Sequence, residues 1–274
     1  MKIENLKLQI VFFGSSKFVL PVMDMLKKKF DLELVITTEK NKNEPVIAFC
    51  ISNKIPYLTV LSKNELKSAI SHQPSAISFE LGVVADFGVI IPESILSLFP
   101  KGILNIHPSL LPKYRGPTPV QTAILNGDKT TGVTIIKLDK HMDHGPIVGQ
   151  EIEHINPEDT AQSLYEILFR KGAGLLEKAL SDYKNRGFEL KEQDHSKATF
   201  TKLLKKDDGF IDIASFPNKE GFDQMIMAFY PWPGVWVKTN VNENTEKIIK
   251  FLPNKKIQVE GKKEMGYKDF LNGY

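Results

Sequence analysis

The chain has 274 residues, of which 42% are hydrophobic and 25% charged, with a formal net charge of +3. That is enough apolar material for two packed domains and too mild a charge excess to demand a nucleic-acid partner, because an obligate binder shows a stronger local bias. One cysteine, Cys50, excludes an internal disulfide and a thiolate metal site. The N-terminus carries no apolar signal-peptide core, and no run approaches the roughly 20 apolar residues that span a bilayer, so a cytoplasmic protein with no membrane partner is expected.

In chain order, Leu8–Phe13 is an apolar run ending at Gly14-Ser15-Ser16. Phe18, Val19, Val22, Met23 and Leu26 then recur at helical spacing, which predicts strand, tight turn and helix. The two serines could hold an anion at the helix start or simply cap it, and capping is preferred. Leu32–Thr37 reads as a second strand, Pro45–Lys54 as a helix, Tyr57–Val60 as a short strand and Ser62–Ser71 as a polar helix. Cys50 sits in apolar surroundings and reads as a buried small hydrophobe.

Further along, Ile77–Ala85 looks like a buried central strand, Pro92–Leu98 a helix and Gly102–Ile106 another strand. Pro117–Leu125 fits a helix. Thr131–Leu138 alternates as a strand, and Ile147–Ile152 is expected to pair with it. Asp159 or Thr160 caps a long helix whose inner face carries Leu164, Ile167, Leu168, Leu175, Leu176 and Leu180. This alternation predicts an α/β fold, a Rossmann-like, mostly parallel open sheet with helices on both faces. Composition then changes. The expected boundaries are a domain over 1–188, a linker over 189–205 and a small β-rich C-terminal domain over 206–274.

The chemistry concentrates in Leu104-Asn105-Ile106-His107-Pro108-Ser109-Leu110-Leu111-Pro112 and in Leu138-Asp139-Lys140-His141-Met142-Asp143-His144-Gly145. Asn105 and His107 alternate at a strand end, so both side chains leave one face of the sheet. Ligands of open α/β sheets bind off the carboxyl ends of the strands, where an amide and an imidazole can donate to an oxygen gaining negative charge. Strand-end hydrogen bonding explains that pair equally well. Asp143 changes the balance, because a carboxylate beside an imidazole suits proton removal from an attacking amine. His141 and His144 lie three apart in a loop without cysteines, which argues against a metal site. Arg115 fits an anionic substrate and a loop pin equally.

The pattern Asn-x-His-x-Ser-Leu-Leu-Pro-x-x-Arg-Gly, with an Asp loop about 30 residues on, resembles the folate-dependent formyltransferase family. Phe229-Tyr230-Pro231-Trp232-Pro233-Gly234 and the tail around Gly261-Lys262-Lys263 extend the resemblance toward the end of the chain. It implies a transferase using 10-formyltetrahydrofolate as co-substrate and no metal, with Asn105, His107 and Asp143 as catalytic residues. It implies a folate pocket drawn from Phe87, Gly88, Val89, Ile90, Ser109, Leu110, Leu111, Pro112 and His141. The implied acceptor is initiator methionyl-tRNA, the implied C-terminal domain OB-like, and the implied state monomeric. Trp232 and Trp236 are expected to be packing aromatics.

Two departures touch the acceptor. The segment Thr38–Pro45 is short, and its two lysines are offset by two glutamates, so its pull on RNA is weak. The C-terminal region also has too little chain for a full five-stranded barrel. A sugar-nucleotide N-formyltransferase with the same donor is therefore the alternative, followed by a 10-formyltetrahydrofolate hydrolase or a non-catalytic folate binder.

Overall fold

The computed structural model describes residues 8–73, 79–242 and 245–273. Two compact units emerge, one of residues 1–115, 132–153 and 166–199, the other of 116–131, 154–165 and 200–274.

The larger sheet has seven strands in the order β3-β2-β1-β4-β5-β6-β7. Their ranges are β1 Gln9–Gly14, β2 Asp31–Thr37, β3 Tyr57–Thr59, β4 Leu81–Ala85, β5 Ile103–His107, β6 Thr130–Lys137 and β7 Ile147–His154. Strands β1 to β5 are mutually parallel and β6 runs antiparallel to β5. The strand order reverses between β1 and β4, the switch point beside which such sheets leave a ligand crevice. The first strands are near-continuous apolar runs because both faces are covered. Phe12 and Phe13 are fully buried, and Phe13 packs with Leu34, Val84 and Ile103 in one core cluster.

The connecting helices are α1 Leu20–Lys29, α2 Pro45–Asn53, α3 Lys63–Ser71, α4 Glu93–Leu96, α5 Pro119–Leu125 and α6 Ala161–Arg186. Ser62 caps α3 by accepting from the Glu65 N–H. Thr160 caps α6 by accepting from the Ser163 N–H at 3.1 Å. Gly172 lets α6 sit close on the sheet, since a Cβ there would lie 2.6 Å from the Ile106 side chain. The start of α2 is satisfied from a distance: Glu39 Oε2 accepts from the N–H groups of Val46 and Ile47 at 2.9 and 3.1 Å. The glutamates of the 38–45 segment therefore fold it; Glu44 likewise accepts from Lys40 N and Asn41 Nδ2.

The expected strands and helices of this region are present, with bounds moved by a few residues. The predicted helix over 92–98 shrinks to a single turn, α4, and the predicted strand start at Ile77 lies outside the described residues. The expected linker begins at residue 189. Residues 189–199 group with the first unit, and Gln193 in it is buried.

In the second unit, α7 Lys219–Phe229 packs on α5. Strands β8 Val235–Asn242, β9 Thr245–Leu252, β10 Lys256–Val259 and β11 Met265–Gly266 form a separate antiparallel sheet in the order β11-β10-β9-β8, followed by α8 Tyr267–Gly273. Phe222 of α7 meets Phe251 of β9 edge-on at 5.0 Å. Helices α7 and α8 are additions to the strands expected there. Trp236 is buried and its indole donates to the Lys206 carbonyl, as a packing aromatic should. Trp232 corrects the expectation, because it is 54% exposed: the Pro-Trp-Pro turn carries it outward.

Candidate active site

Strand β5 pairs with β4 at Val84–Asn105 and with β6 at Ile106–Ile135 and His107–Thr134. Leu104 and Ile106 are buried, while Asn105 and His107 share the other face at the carboxyl end of the strand. The chain after β6 brings Asp143 back to that end. Asp143 has φ 47°, a left-handed conformation that Asp tolerates better than most residues. Asn105 Nδ2 donates to Asp143 Oδ1 at 3.2 Å. His107 Nδ1 lies 3.6 Å from the same oxygen, with the two side chains only 5% and 12% exposed.

The hydrogen-bond chemistry fixes the ring. His107 Nε2 is 2.9 Å from the Tyr114 carbonyl oxygen. A carbonyl only accepts, so Nε2 carries a proton and Nδ1 faces the carboxylate. At 3.6 Å that contact is an ion-pair distance rather than a hydrogen bond. Nδ1 therefore makes no hydrogen bond to Asp143.

Two further sets of contacts hold this geometry, and the sequence reading missed both. Thr134 Oγ1 donates to the Ser109 carbonyl at 2.6 Å and accepts from Leu111 N at 3.1 Å, while Gln150 Nε2 donates to the Leu111 carbonyl at 2.8 Å. Gln193 Nε2 donates to the carbonyls of Asp143 and Gly145 at 2.9 and 2.7 Å, and its Oε1 accepts from Arg115 Nη2 at 2.7 Å. Thr134 and Gln150 could have been suspected as polar residues in β-strands. Gln193 stands in a polar stretch without periodicity and gave no signal.

Arg115 is 3% exposed and also donates to His195 Nδ1 at 2.8 Å, which places it as a loop pin. Burial lowers its proton affinity, and the charges of Asp143 and Asp139 act in the opposite sense. His144 stacks on His195 at 3.9 Å and pairs with Asp139 at 2.6 Å. Ser16 accepts from Phe18 N and donates to Asp86, and the Ser15 and Thr38 hydroxyls bond each other at 2.7 Å, in keeping with capping.

The expected folate residues divide. Phe87, Gly88, Val89 and Ile90 follow β4, next to β5, so their loop leaves the same sheet edge as Asn105 and His107. Gly88 has open space where a Cβ would stand, and Ile90 is 71% exposed. Phe87 meets Phe13 edge-on at 5.6 Å. Leu110 and Pro112 are half-buried, and His141 is exposed near His144. Ser109 and Leu111 are turned inward: the Ser109 hydroxyl donates to the Lys113 carbonyl, and Leu111 packs with Ile136 and Ile147. Their side chains face protein, and their backbone groups bond Thr134, Gln150 and His107.

The formyl transferase family profile matches residues 8–180. A methionyl-tRNA formyltransferase of Chloroflexus aurantiacus is 40% identical over 84% of this chain and 76% of its own length. One of Treponema denticola is 31% identical over 97% of both chains. Among solved structures, a sugar N-formyltransferase from a Shewanella species aligns with TM-score 0.67 at 19% identity, over 90% of this chain and 98% of its own.

Proposed function

The chain belongs to the formyl transferase family, and from that we propose that it transfers a formyl group from 10-formyltetrahydrofolate to the amino group of methionyl-tRNA, the initiator of translation. The observation that carries the chemistry is one carboxylate, Asp143, held 3.2 Å from the Asn105 amide and 3.6 Å from the His107 ring at a strand end.

The roles follow from that geometry. Asn105 has a second amide proton beyond the one given to Asp143, and His107 offers Nδ1–H. Both donate to the formyl oxygen as it becomes an oxyanion, each worth about 3–4 kcal/mol in the transition state. Asp143 offsets the charge of the protonated ring and takes the proton that the amine loses as its nitrogen bonds to the formyl carbon. The carbon–nitrogen bond to the donor then breaks, Asp143 passes that proton to the donor nitrogen, and the products are the N-formylated acceptor and tetrahydrofolate. The 86–90 loop suits a flat heterocycle, because Gly88 admits close approach to the main chain and Phe87 is braced by Phe13. Ile90, Leu110, Pro112 and His141 complete the proposed pocket. Residues 1–188 are assigned the transfer chemistry, in a cytoplasmic enzyme acting as a monomer.

Methionyl-tRNA is favoured over a sugar nucleotide because the named sequence relatives stand at 31–40% identity. The likeness to a sugar N-formyltransferase, at 19%, speaks for the fold alone. The test offers purified protein 10-formyltetrahydrofolate with methionyl-initiator tRNA, with a nucleotide-linked amino sugar, or with buffer. Formyl transfer only in the first arm is expected. Consumption with the sugar, or equal consumption in buffer, would replace the reading by the alternative transferase or by a hydrolase.

A further inference from the structure

We infer that Gln193 is a positioning residue that sets Asp143 against Asn105 and His107, although it follows α6 in the chain and touches no reacting atom. The inference rests on Asp143 being a reacting group, as proposed above. Gln193 is 5% exposed and all its side-chain hydrogen-bonding groups are engaged. Its two amide protons go to the Asp143 and Gly145 carbonyls, and its oxygen accepts from the Arg115 guanidinium. The orientation is forced. Turned over, the amide would set oxygen against two carbonyls and N–H against a cation.

These contacts close a ring. His107 Nε2 bonds the Tyr114 carbonyl, the next residue Arg115 bonds Gln193, Gln193 bonds the Asp143 carbonyl, and the Asp143 carboxylate returns to His107 Nδ1. Arg115 is itself fixed, its N–H donating to the Thr199 carbonyl at 2.8 Å. One buried amide thus ties the loop after β5 to the loop after β6, the two connections on which the site depends.

The Asp143 loop needs such a tie. Asp143 is held in the left-handed region, which costs a side-chain-bearing residue some strain even where, as for aspartate, it is better tolerated than by most. Two residues on, Gly145 is pressed so close to β6 that a Cβ would fall 1.9 Å from the Lys137 carbonyl oxygen. Gln193 grips the main chain at both points. Released there, the carboxylate can swing away from Nδ1, and displacements of about 1 Å are enough to lower turnover about a hundredfold.

The experiment uses the full chain with 10-formyltetrahydrofolate and methionyl-tRNA, comparing wild type, Gln193→Ala, Gln193→Glu, Asp143→Asn and the Gln193→Ala/Asp143→Asn double variant. Gln193→Ala should lower kcat about ten- to a hundredfold, with KM for both substrates changed by less than about twofold. Gln193→Glu keeps an acceptor for Arg115 but has no proton for either carbonyl, so it should be equally impaired. In the Asp143→Asn background, Gln193→Ala should cost less than about a further twofold, because the two act as one unit. Wild-type turnover of Gln193→Glu would assign the amide to Arg115 alone and overturn the inference. Equal losses in both backgrounds would mark a general structural role and also overturn it. An active Asp143→Asn enzyme would sink the reading of Asp143 itself, whereas an inactive one beside a fully active Gln193→Ala would sink only the role of Gln193. Circular dichroism checks folding; should Gln193→Ala fail to fold, Gln193→Glu supplies the same comparison with the Arg115 contact retained.

Discussion

The Asn105 amide donates to the Asp143 carboxylate at 3.2 Å across 38 positions of sequence. Asn105 is half-buried at a strand end, so its truncation removes a donor without opening the core. Asn105→Ala should lower kcat at least about a hundredfold, the usual loss for one oxyanion donor. Its melting temperature should stay within about 2 °C of wild type, which a thermal melt alongside single-turnover kinetics would check. An active variant removes Asn105 from the mechanism.

His107 should behave differently, because it has a structural duty as well. The residue is 4% exposed and its Nε2 satisfies the Tyr114 carbonyl. His107→Ala leaves a small cavity and a buried acceptor without its donor, so a stability loss of about 2–4 kcal/mol should accompany the loss of activity. Urea unfolding measures it. Wild-type stability in this variant would mean that water replaces the ring at no cost.

Glu39 offers a test far from the site. Its carboxylate caps α2 through Val46 N and Ile47 N while only 9% exposed. Glu39→Ala should destabilise the protein by about 1–2 kcal/mol, as for loss of a strong helix cap with a favourable dipole interaction. Transfer kinetics at saturating substrates should be unchanged. A Glu39→Ala protein of normal stability that binds tRNA more tightly would show that Glu39 acts on the acceptor instead.

Cys50 gives a pH prediction. The thiol is fully buried, and burial, with a smaller contribution from Glu39, pushes its pKa from 9.0 up to about 12. A disulfide reagent at pH 8 should leave the native thiol untouched and react at once after denaturation. The sign of the linkage is set by the unfolded thiol, which ionises first. The stabilisation from keeping the thiol neutral is complete below pH 9.0 and is lost as pH rises toward about 12. Cys50→Ala should flatten the alkaline fall in stability, as seen by denaturant midpoints across that range. An unchanged slope would show that other groups control it.

Much of the molecule was legible along the chain. Apolar runs such as Leu32–Thr37 and the helical recurrence of Leu164, Leu168, Leu176 and Leu180 report which faces are dry, because burial imposes the period of the element on the sequence. Asn105 and His107 could be paired by strand alternation alone. Helix α7 was not seen because most of its apolar residues run together over 225–229 instead of recurring along it, and its packing surface, α5, lies about a hundred residues earlier. The outward turn of Trp232 likewise depends on the Pro-Trp-Pro backbone, which composition does not reveal.

The sequence by itself determined the order of strands and helices as far as α6 and the presence of an amide, an imidazole and a carboxylate, since periodicity and residue type are local properties. The meeting of Asp143 with β5, the inward turn of Arg115 and the burial of Gln193 were decided by tertiary structure. Each depends on hydrogen bonds between segments 38 to 80 residues apart, and a polar side chain carries no mark in the sequence of the partner that will desolvate it.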